Sequence, residues 1–235
     1  MTMITTTIMR KLSKEVRVFC LVQSAAEFHD SRAIHIQATW GKRCDKLLFV
    51  SERNDSRLPI FYVDLPPGRQ HLTVKQRLAL DHVYQKYLND FDWFYKADDD
   101  TYVIVENLRQ FLASKNASDP VYFGHHFKAV VKPSGYLSGG SGYVFSREAL
   151  RRWGTRPDGA YPLNHSTGND VWMGEAMQML GVRVGDSRDE MGLERFYVLR
   201  PQDYVIGKNI SWMEEYDKYP QKMVSPCYIF CWMGL

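Results

Sequence analysis

The chain lacks any stretch approaching the ~18 consecutive apolar residues that a membrane-crossing helix needs. It also lacks a recognisable cleavable leader: Met1–Lys14 is rich in Thr and Met, then basic, with neither an apolar centre nor a small-residue cleavage site. An excess of one charge is missing, since 30 Lys+Arg against 27 Asp+Glu leave a formal +3. That balance is too weak to argue for a nucleic-acid partner. No Cys-x-x-Cys occurs. The four cysteines are Cys20, Cys44, Cys227 and Cys231; the last two form a lone Cys-x-x-x-Cys, which does not fit the usual zinc spacings. Internal repeats are absent, and no Pro/Gly/Ser-rich linker marks a domain boundary. What remains is a chain of 235 residues, 45% hydrophobic and 14% aromatic, long enough to bury one good-sized core.

Within that core the pattern alternates strand and helix. Val16–Val22 is a near-continuous apolar run of the kind found in strands buried on both faces. Ser31 is placed to cap a helix carrying Ile34, Ala38 and Trp40 at helical spacing. Lys46–Val50 and Ile60–Val63 read as strands, and Pro66-Pro67-Gly68-Arg69 as a turn. Leu72–Leu88 places Leu72, Ala79, Leu80, Val83, Tyr84, Tyr87 and Leu88 on one helix face. A helix over Val105–Leu112 follows the next strand. Further on come a strand at Val121–His126, a glycine-rich entry to a strand at Ser138–Val144, and a helix at Arg147–Trp153 capped by Ser146. Asp170–Leu180 reads as a helix and Val182–Val184 as the last strand; beyond Pro201 little periodicity remains. Strands alternating with helices imply an α/β sheet with crossover connections.

The stretch most loaded with chemistry is Trp93–Val103. An apolar strand runs straight into Asp98, Asp99 and Asp100. Three adjacent carboxylates repel one another unless a cation or solvent screens them, and the carboxyl ends of strands are where open α/β sheets bind ligands. Asp98 and Asp100, two apart, can reach one ion from the same side, and their hard oxygens suit Mg²⁺ or Mn²⁺. A solvated acidic turn is the plain alternative. An EF-hand loop beginning at Asp98 would need Gly and Glu where Val103 and Arg109 stand. An Asp-x-Asp-x-Thr phosphatase motif would need Thr where Tyr102 stands. Two further features suit an oxidising, secretory compartment. Sequons occur at Asn54, Asn116, Asn164 and Asn209, and Cys20 and Cys44 flank neighbouring strands, either bridged or as two buried thiols.

Taken in order, Cys20, Ala38–Cys44, Trp93–Val103, Tyr122-Phe123-Gly124, Tyr136–Tyr143, Ser146–Leu150 and Gly185–Asp189 form a specific set. The set resembles the core 1 β1,3-galactosyltransferases, relatives of the fringe glycosyltransferases. The likeness runs from about Val16 to Asp189, more weakly to about Cys227, and implies a GT-A α/β fold. On this reading 1–15 is a segment without fold signal, 16–227 the transferase domain (nucleotide part about 16–115, acceptor part about 116–227), and 228–235 a divergent tail. The resemblance implies a Golgi type II membrane enzyme that moves galactose from UDP-galactose to N-acetylgalactosamine (GalNAc) on Ser/Thr of glycoproteins, with inversion and Mn²⁺. Mg²⁺ is the alternative ion, and a homodimer is compatible.

Carried over by position, the resemblance makes Asp98 and Asp100 metal ligands, with Asp98 also beside the nucleotide. Gly68, Arg69 and Lys75 would hold the UDP, and Gln23 stands where the family often has Met beside the nucleotide. Asp170 matches the family's catalytic base and is otherwise a helix cap. Gly139 and Gly140 would line the acceptor side, where Trp212 matches a sugar-contacting aromatic. The chain departs from the family at Asn169, where Glu is usual, and at two absent cysteines, one of them replaced by Ala176. It departs again after Cys227, where the family has a Ser-Phe-His-Tyr segment with a metal-binding His; no His follows His165 here. The departure implies weaker metal binding with less preference for Mn²⁺ over Mg²⁺. Two other readings follow: a fringe-type transferase of a different UDP-sugar, and a weakly active or inactive sugar-binding or chaperone-like relative.

Overall fold

Alternation along the first strand sets the two faces of the central sheet. In the computed structural model, which describes residues 12–159, 168–200, 202–203, 211–220 and 230–232, β1 (Val18–Gln23) is buried throughout. Val18, Cys20 and Val22 join one core cluster, and Phe19 and Leu21 join another. A strand apolar on both sides needs a layer over each face. In chain order the remaining strands are β2 (Lys46–Ser51), β3 (Ile60–Tyr62), β4 (Trp93–Asp98), β5 (Thr101–Val103), β6 (Val121–Gly124), β7 (His126–Phe127), β8 (Tyr136–Leu137), β9 (Tyr143–Ser146), β10 (Arg183–Val184), β11 (Phe196–Tyr197) and β12 (Phe230–Trp232). The helices are α1 (Ile34–Ala38), α2 (Leu72–Tyr87), α3 (Val105–Leu112), α4 (Arg147–Gly154), α5 (Asn169–Met179) and α6 (Ser211–Tyr216).

Among the described residues seven strands form one sheet in the order β10-β6-β9-β4-β1-β2-β3. β1 runs parallel to β2 and β4, and β2 parallel to β3. β9 runs antiparallel to both β4 and β6, which makes the sheet mixed. Ile36 of α1 with Val105, Leu108 and Phe111 of α3 cover one face. Ala79 and Val83 of α2, Leu150 and Trp153 of α4, and Trp172 and Met177 of α5 cover the other. The result is three layers, the α/β arrangement expected of a GT-A domain, with the carboxyl ends of β1, β2 and β4 at one edge.

The strand and helix bounds fall within a few residues of those expected, and α3 spans Val105–Leu112 as read. The Ser146 hydroxyl accepts the Ala149 N–H at 3.0 Å and caps α4. Cys20 and Cys44 are bridged, tying β1 to the approach of β2. Ser31 corrects the reading: it lies inside a wider helical turn, His29–Ala33, that runs into α1, so it caps nothing. Past Pro201, α6 and β12 appear where no pattern was legible. β12 pairs antiparallel with β5 and parallel with β11, and a strand of three residues carries no readable period. The divergence after Cys227 begins outside the described residues, as do the sequons at Asn164 and Asn209; Asn54 and Asn116 are exposed. No helix among the described residues is long and apolar enough to cross a membrane.

A buried ionic cluster joins the later elements to the sheet. His125, just after β6, has Nδ1 at 2.8 Å from the Phe196 carbonyl and Nε2 at 2.8 Å from Asp217 Oδ1. Both ring nitrogens face oxygens, so the imidazolium satisfies both, and Asp217 and Glu194 raise the His125 pKa against the opposing effect of burial. Glu194 is almost fully enclosed, and burial lifts its carboxyl from 4.5 to about 7. The Ser187 hydroxyl stands 2.9 Å from the Gly124 carbonyl and 3.1 Å from Glu194 Oε2; with one proton to give, it can donate to Gly124 and accept from protonated Glu194. Both groups hold protons more tightly folded than unfolded. Stability from Glu194 is therefore full below 4.5 and lost as pH rises through about 7, and that from His125 is full below 6.5 and lost above it. The unfolding midpoint should fall between about pH 5 and pH 8, with Glu194 accounting for on the order of 2 kcal/mol. Glu194→Gln should flatten that slope; equal slopes in the two proteins would remove Glu194 from the account.

Candidate active site

Side chains two apart on a strand share a face, so β4 carries Phe94, Lys96 and Asp98 together. Lys96 is 1% exposed in an otherwise apolar strand, and its Nζ bonds Asp98 Oδ1 at 2.5 Å. A buried ammonium needs such a partner. Burial pushes the Asp98 pKa up, Lys96 opposes that, and Asp100 and Asp170 add repulsion. The chain then turns, with the Asp98 N–H donating to Thr101 Oγ1 at 3.2 Å. Asp99 points elsewhere: its Oδ2 accepts from Ser24 Oγ at 2.7 Å and its Oδ1 from Arg32 at 2.9 Å. Asp99 braces the turn, while Asp98 and Asp100 line an open cleft of about 670 Å³. Arg32 comes within 3.9 Å of Asp100 from the side of Asp99.

The rest of the cleft comes from segments far apart in sequence. Arg69, Leu72 and Thr73 line it from the start of α2, Gly139 and Gly140 from the loop before β9, and Gly168, Asn169 and Asp170 from the start of α5. That loop needs glycine at Gly142, where φ is +65° and a Cβ would lie 2.5 Å from the Tyr95 hydroxyl. Asp170 Oδ2 accepts the Gly139 N–H at 3.2 Å. The residue before α5 is Gly168, so Asp170 lies inside the first turn and not at the cap, facing the same cleft as Asp98 and Asp100.

The expected site residues thus divide. Arg69, Asp98, Asp100, Gly139, Gly140 and Asp170 come together. Gly68 precedes Arg69 with φ +126°, the backbone that makes this turn. Gln23 ends β1 beside Asp98. It is buried, its Nε2 donates to the Leu72 carbonyl at 3.0 Å, and its Oε1 has no partner among the described residues. Lys75 is turned inward, giving its protons to the Ser24 carbonyl at 3.0 Å and to Glu52 at 2.6 Å. Any role toward a phosphate passes through that pair. Trp212 is 47% exposed on α6 and meets Phe127 and Tyr216 edge-on; it does not line the cleft itself, but Phe127 shares a cluster with Val171, next to Asp170.

Lys96 and Asp99's bracing partners were missed in the sequence; a lysine inside an apolar strand, two before an aspartate, was the available signal for the first. Among the described residues no group of three or more His, Cys, Asp or Glu is arranged to hold a metal. Two carboxylates on one cleft, crowded by a third, still fit a hard divalent ion that takes its other oxygens from ligand and water. A second cavity of about 470 Å³, lined by Arg77, Asp81, Tyr84 and Arg156, offers no comparable set, since Asp81 is already paired with Arg156 at 2.8 Å.

The chain is similar to glycosyltransferases in sequence. The chain is 40% identical over 217 residues, 89% of its length, to glycoprotein-N-acetylgalactosamine 3-beta-galactosyltransferase 1 of Xenopus laevis, and spans 59% of that protein. It is 28% identical to the beta-1,3-glucosyltransferase of Mus musculus over 81% of this chain and 38% of that one. A solved glycosyltransferase involved in glycosylation of the major capsid of PBCV-1 is similar at 14% identity and TM-score 0.38, over 61% of this chain and 68% of that one. The Fringe-like family profile matches residues 13–225. By that match the chain belongs to the Fringe-like family.

Proposed function

We propose that this chain is the catalytic part of an inverting β1,3-galactosyltransferase that moves galactose from UDP-galactose to O-linked GalNAc on glycoproteins, in a Golgi-type compartment. The observation that carries the reading is Asp170, held against the Gly139 backbone in the same cleft as Asp98 and Asp100. An inverting transfer needs a base for the acceptor hydroxyl and a counter-charge for the departing diphosphate, both at one centre. Asp170 takes the proton from the GalNAc 3-hydroxyl. Asp98 and Asp100 would hold a divalent ion, Mn²⁺ or Mg²⁺, which would supply positive charge to offset that on the leaving diphosphate.

The other residues bind and orient. Arg69 meets the diphosphate, a match guanidinium makes well, and Lys75 with Glu52 supports the same wall from inside. The unpartnered Oε1 of Gln23 accepts an N–H from the nucleobase, which would relieve a buried unsatisfied acceptor. Gly139 and Gly140 let the acceptor sugar approach the backbone, and Trp212, outside the cleft, with its neighbouring rings presents an apolar face to the acceptor beyond it. The Cys20–Cys44 bridge and the exposed Asn54 and Asn116 sequons suit the oxidising, glycosylating compartment in which such acceptors are made. A panel of UDP-galactose, UDP-glucose and UDP-N-acetylglucosamine against a GalNAc-peptide tests the donor. Faster transfer from UDP-galactose supports the reading; preference for another donor would make this a fringe-type transferase of that sugar, and metal-dependent UDP binding without transfer a binding relative.

A further inference from the structure

Beneath the cleft a run of polar contacts, hydrogen bonds at both ends and a cation over a ring between them, joins its two sides. Asn169, the first residue of α5, donates from Nδ2 to Gln76 Oε1 at 3.0 Å, and Gln76 Nε2 donates to the Tyr143 hydroxyl at 2.8 Å. Gln76 is 1% exposed and Tyr143 fully enclosed. Tyr143 faces Lys96 across the β4–β9 ladder. The Lys96 ammonium lies 5.6 Å from the Tyr143 ring centroid and bonds Asp98. The run therefore starts beside Asp170 and ends on a carboxylate of the metal side.

A buried glutamine on the inward face of α2, in line with Leu80 and Val83, is costly unless both ends of its amide are bonded. Here they are, each to a residue that leads to one half of the cleft. No side chain caps the start of α5, because its cap position is a glycine; Val171 and Trp172 hold its inward face in the core, and Asn169 is the polar tie on the cleft side. Asp170 itself is held by the Gly139 N–H and by the N–H of the next residue.

We propose that Gln76 is a positioning residue: through Asn169 it fixes the first turn of α5, and so the Asp170 carboxylate, against β4 and the Asp98 side of the cleft. The proposal rests on the reading of Asp170 as the base.

Gln76→Leu keeps much of the volume and removes both bonds. In this variant kcat should fall about 10- to 100-fold, the scale of a ~1 Å misplacement, while UDP affinity in the presence of Mn²⁺ stays within about twofold. Amide exchange at Gly139, whose N–H rests on Asp170, should quicken about tenfold; this readout works even if turnover is too slow to measure. Asn169→Ala, at a half-buried position, breaks the same link and should act in the same direction, which covers the case in which Gln76→Leu fails to fold. The double variant should be no worse than Gln76→Leu, since both act on one run. A lowered unfolding midpoint with kcat and Gly139 exchange unchanged would reduce Gln76 to packing and overturn the proposal, as would losses in kcat that simply multiply. Asp170→Asn measured alongside separates the two failures. Normal turnover there defeats the assignment of the base; a dead Asp170→Asn beside a normal Gln76→Leu defeats the positioning role alone.

Discussion

Asp170→Asn should lower kcat by a factor on the order of 10²–10⁴, the range for losing a general base, with metal-dependent UDP affinity unchanged. Asparagine is nearly isosteric, and its carbonyl oxygen can still accept the Gly139 N–H that Asp170 Oδ2 accepts now at 3.2 Å. The bond that ties the loop before β9 to α5 is therefore kept; the Val171 N–H, which Asp170 Oδ1 accepts at 2.9 Å, loses its side-chain acceptor, a local loss small beside that of the proton acceptor. The split between kcat and donor binding is the diagnostic part. A group that acts only on the acceptor hydroxyl has no reason to change nucleotide affinity. Steady-state kinetics on a GalNAc-peptide, with calorimetry for UDP and Mn²⁺, reads both. Wild-type turnover in the variant would leave Asp170 as a residue that merely braces the glycine loop.

The second large effect is on the other half of the cleft. Asp100→Asn should weaken Mn²⁺-dependent UDP binding by more than about 100-fold, because removing even outer-shell partners of a metal costs 10–100-fold. The fold should survive. The Asp100 side chain is 22% exposed, and Arg32, the cation 3.9 Å away, keeps its bond to Asp99 at 2.9 Å. Asp99→Asn is the instructive companion: it should act chiefly on stability, since Asp99 receives Ser24 and Arg32 and faces away from the cleft. Calorimetry that finds the same UDP affinity with and without Mn²⁺, in wild type and Asp100→Asn alike, would dismiss the metal assignment.

How much of this was legible beforehand follows from the range of the interactions. β1 and β4 announce themselves as apolar runs because every side chain is buried, and the α3 bounds follow from local period. Asp98 and Asp100 were legible for the same reason, since a strand's end and a carboxylate pair are both local facts. The cleft's second half is not local. The Asn169–Gln76 bond spans 93 residues and the Gln76–Tyr143 bond 67, so nothing in either neighbourhood marks Gln76 as more than a polar residue on a helix. Lys75 shows the limit from the other side: the resemblance sets it beside the nucleotide, and only the structure shows its Nζ enclosed with Glu52, 23 residues away. Asn169 in place of the expected Glu becomes intelligible only in three dimensions, because an amide nitrogen can donate to Gln76 and a carboxylate cannot. His29–Ala33 defeated a reading based on 3.6-residue spacing because its turn is wider than that of an α-helix.

The product of the unmodified chain tests the central claim most directly. Incubated with UDP-galactose, Mn²⁺ and a peptide carrying GalNAc, the protein should yield one galactose joined through a β-linkage to the 3-hydroxyl of that GalNAc, as read by NMR of the glycopeptide. Omitting the divalent ion should abolish the product. An α-linked galactose, the same yield without any divalent ion, or no galactose transfer by a protein that still binds UDP with Mn²⁺ would each contradict a cleft in which Asp170 and the Asp98–Asp100 pair act on one reaction.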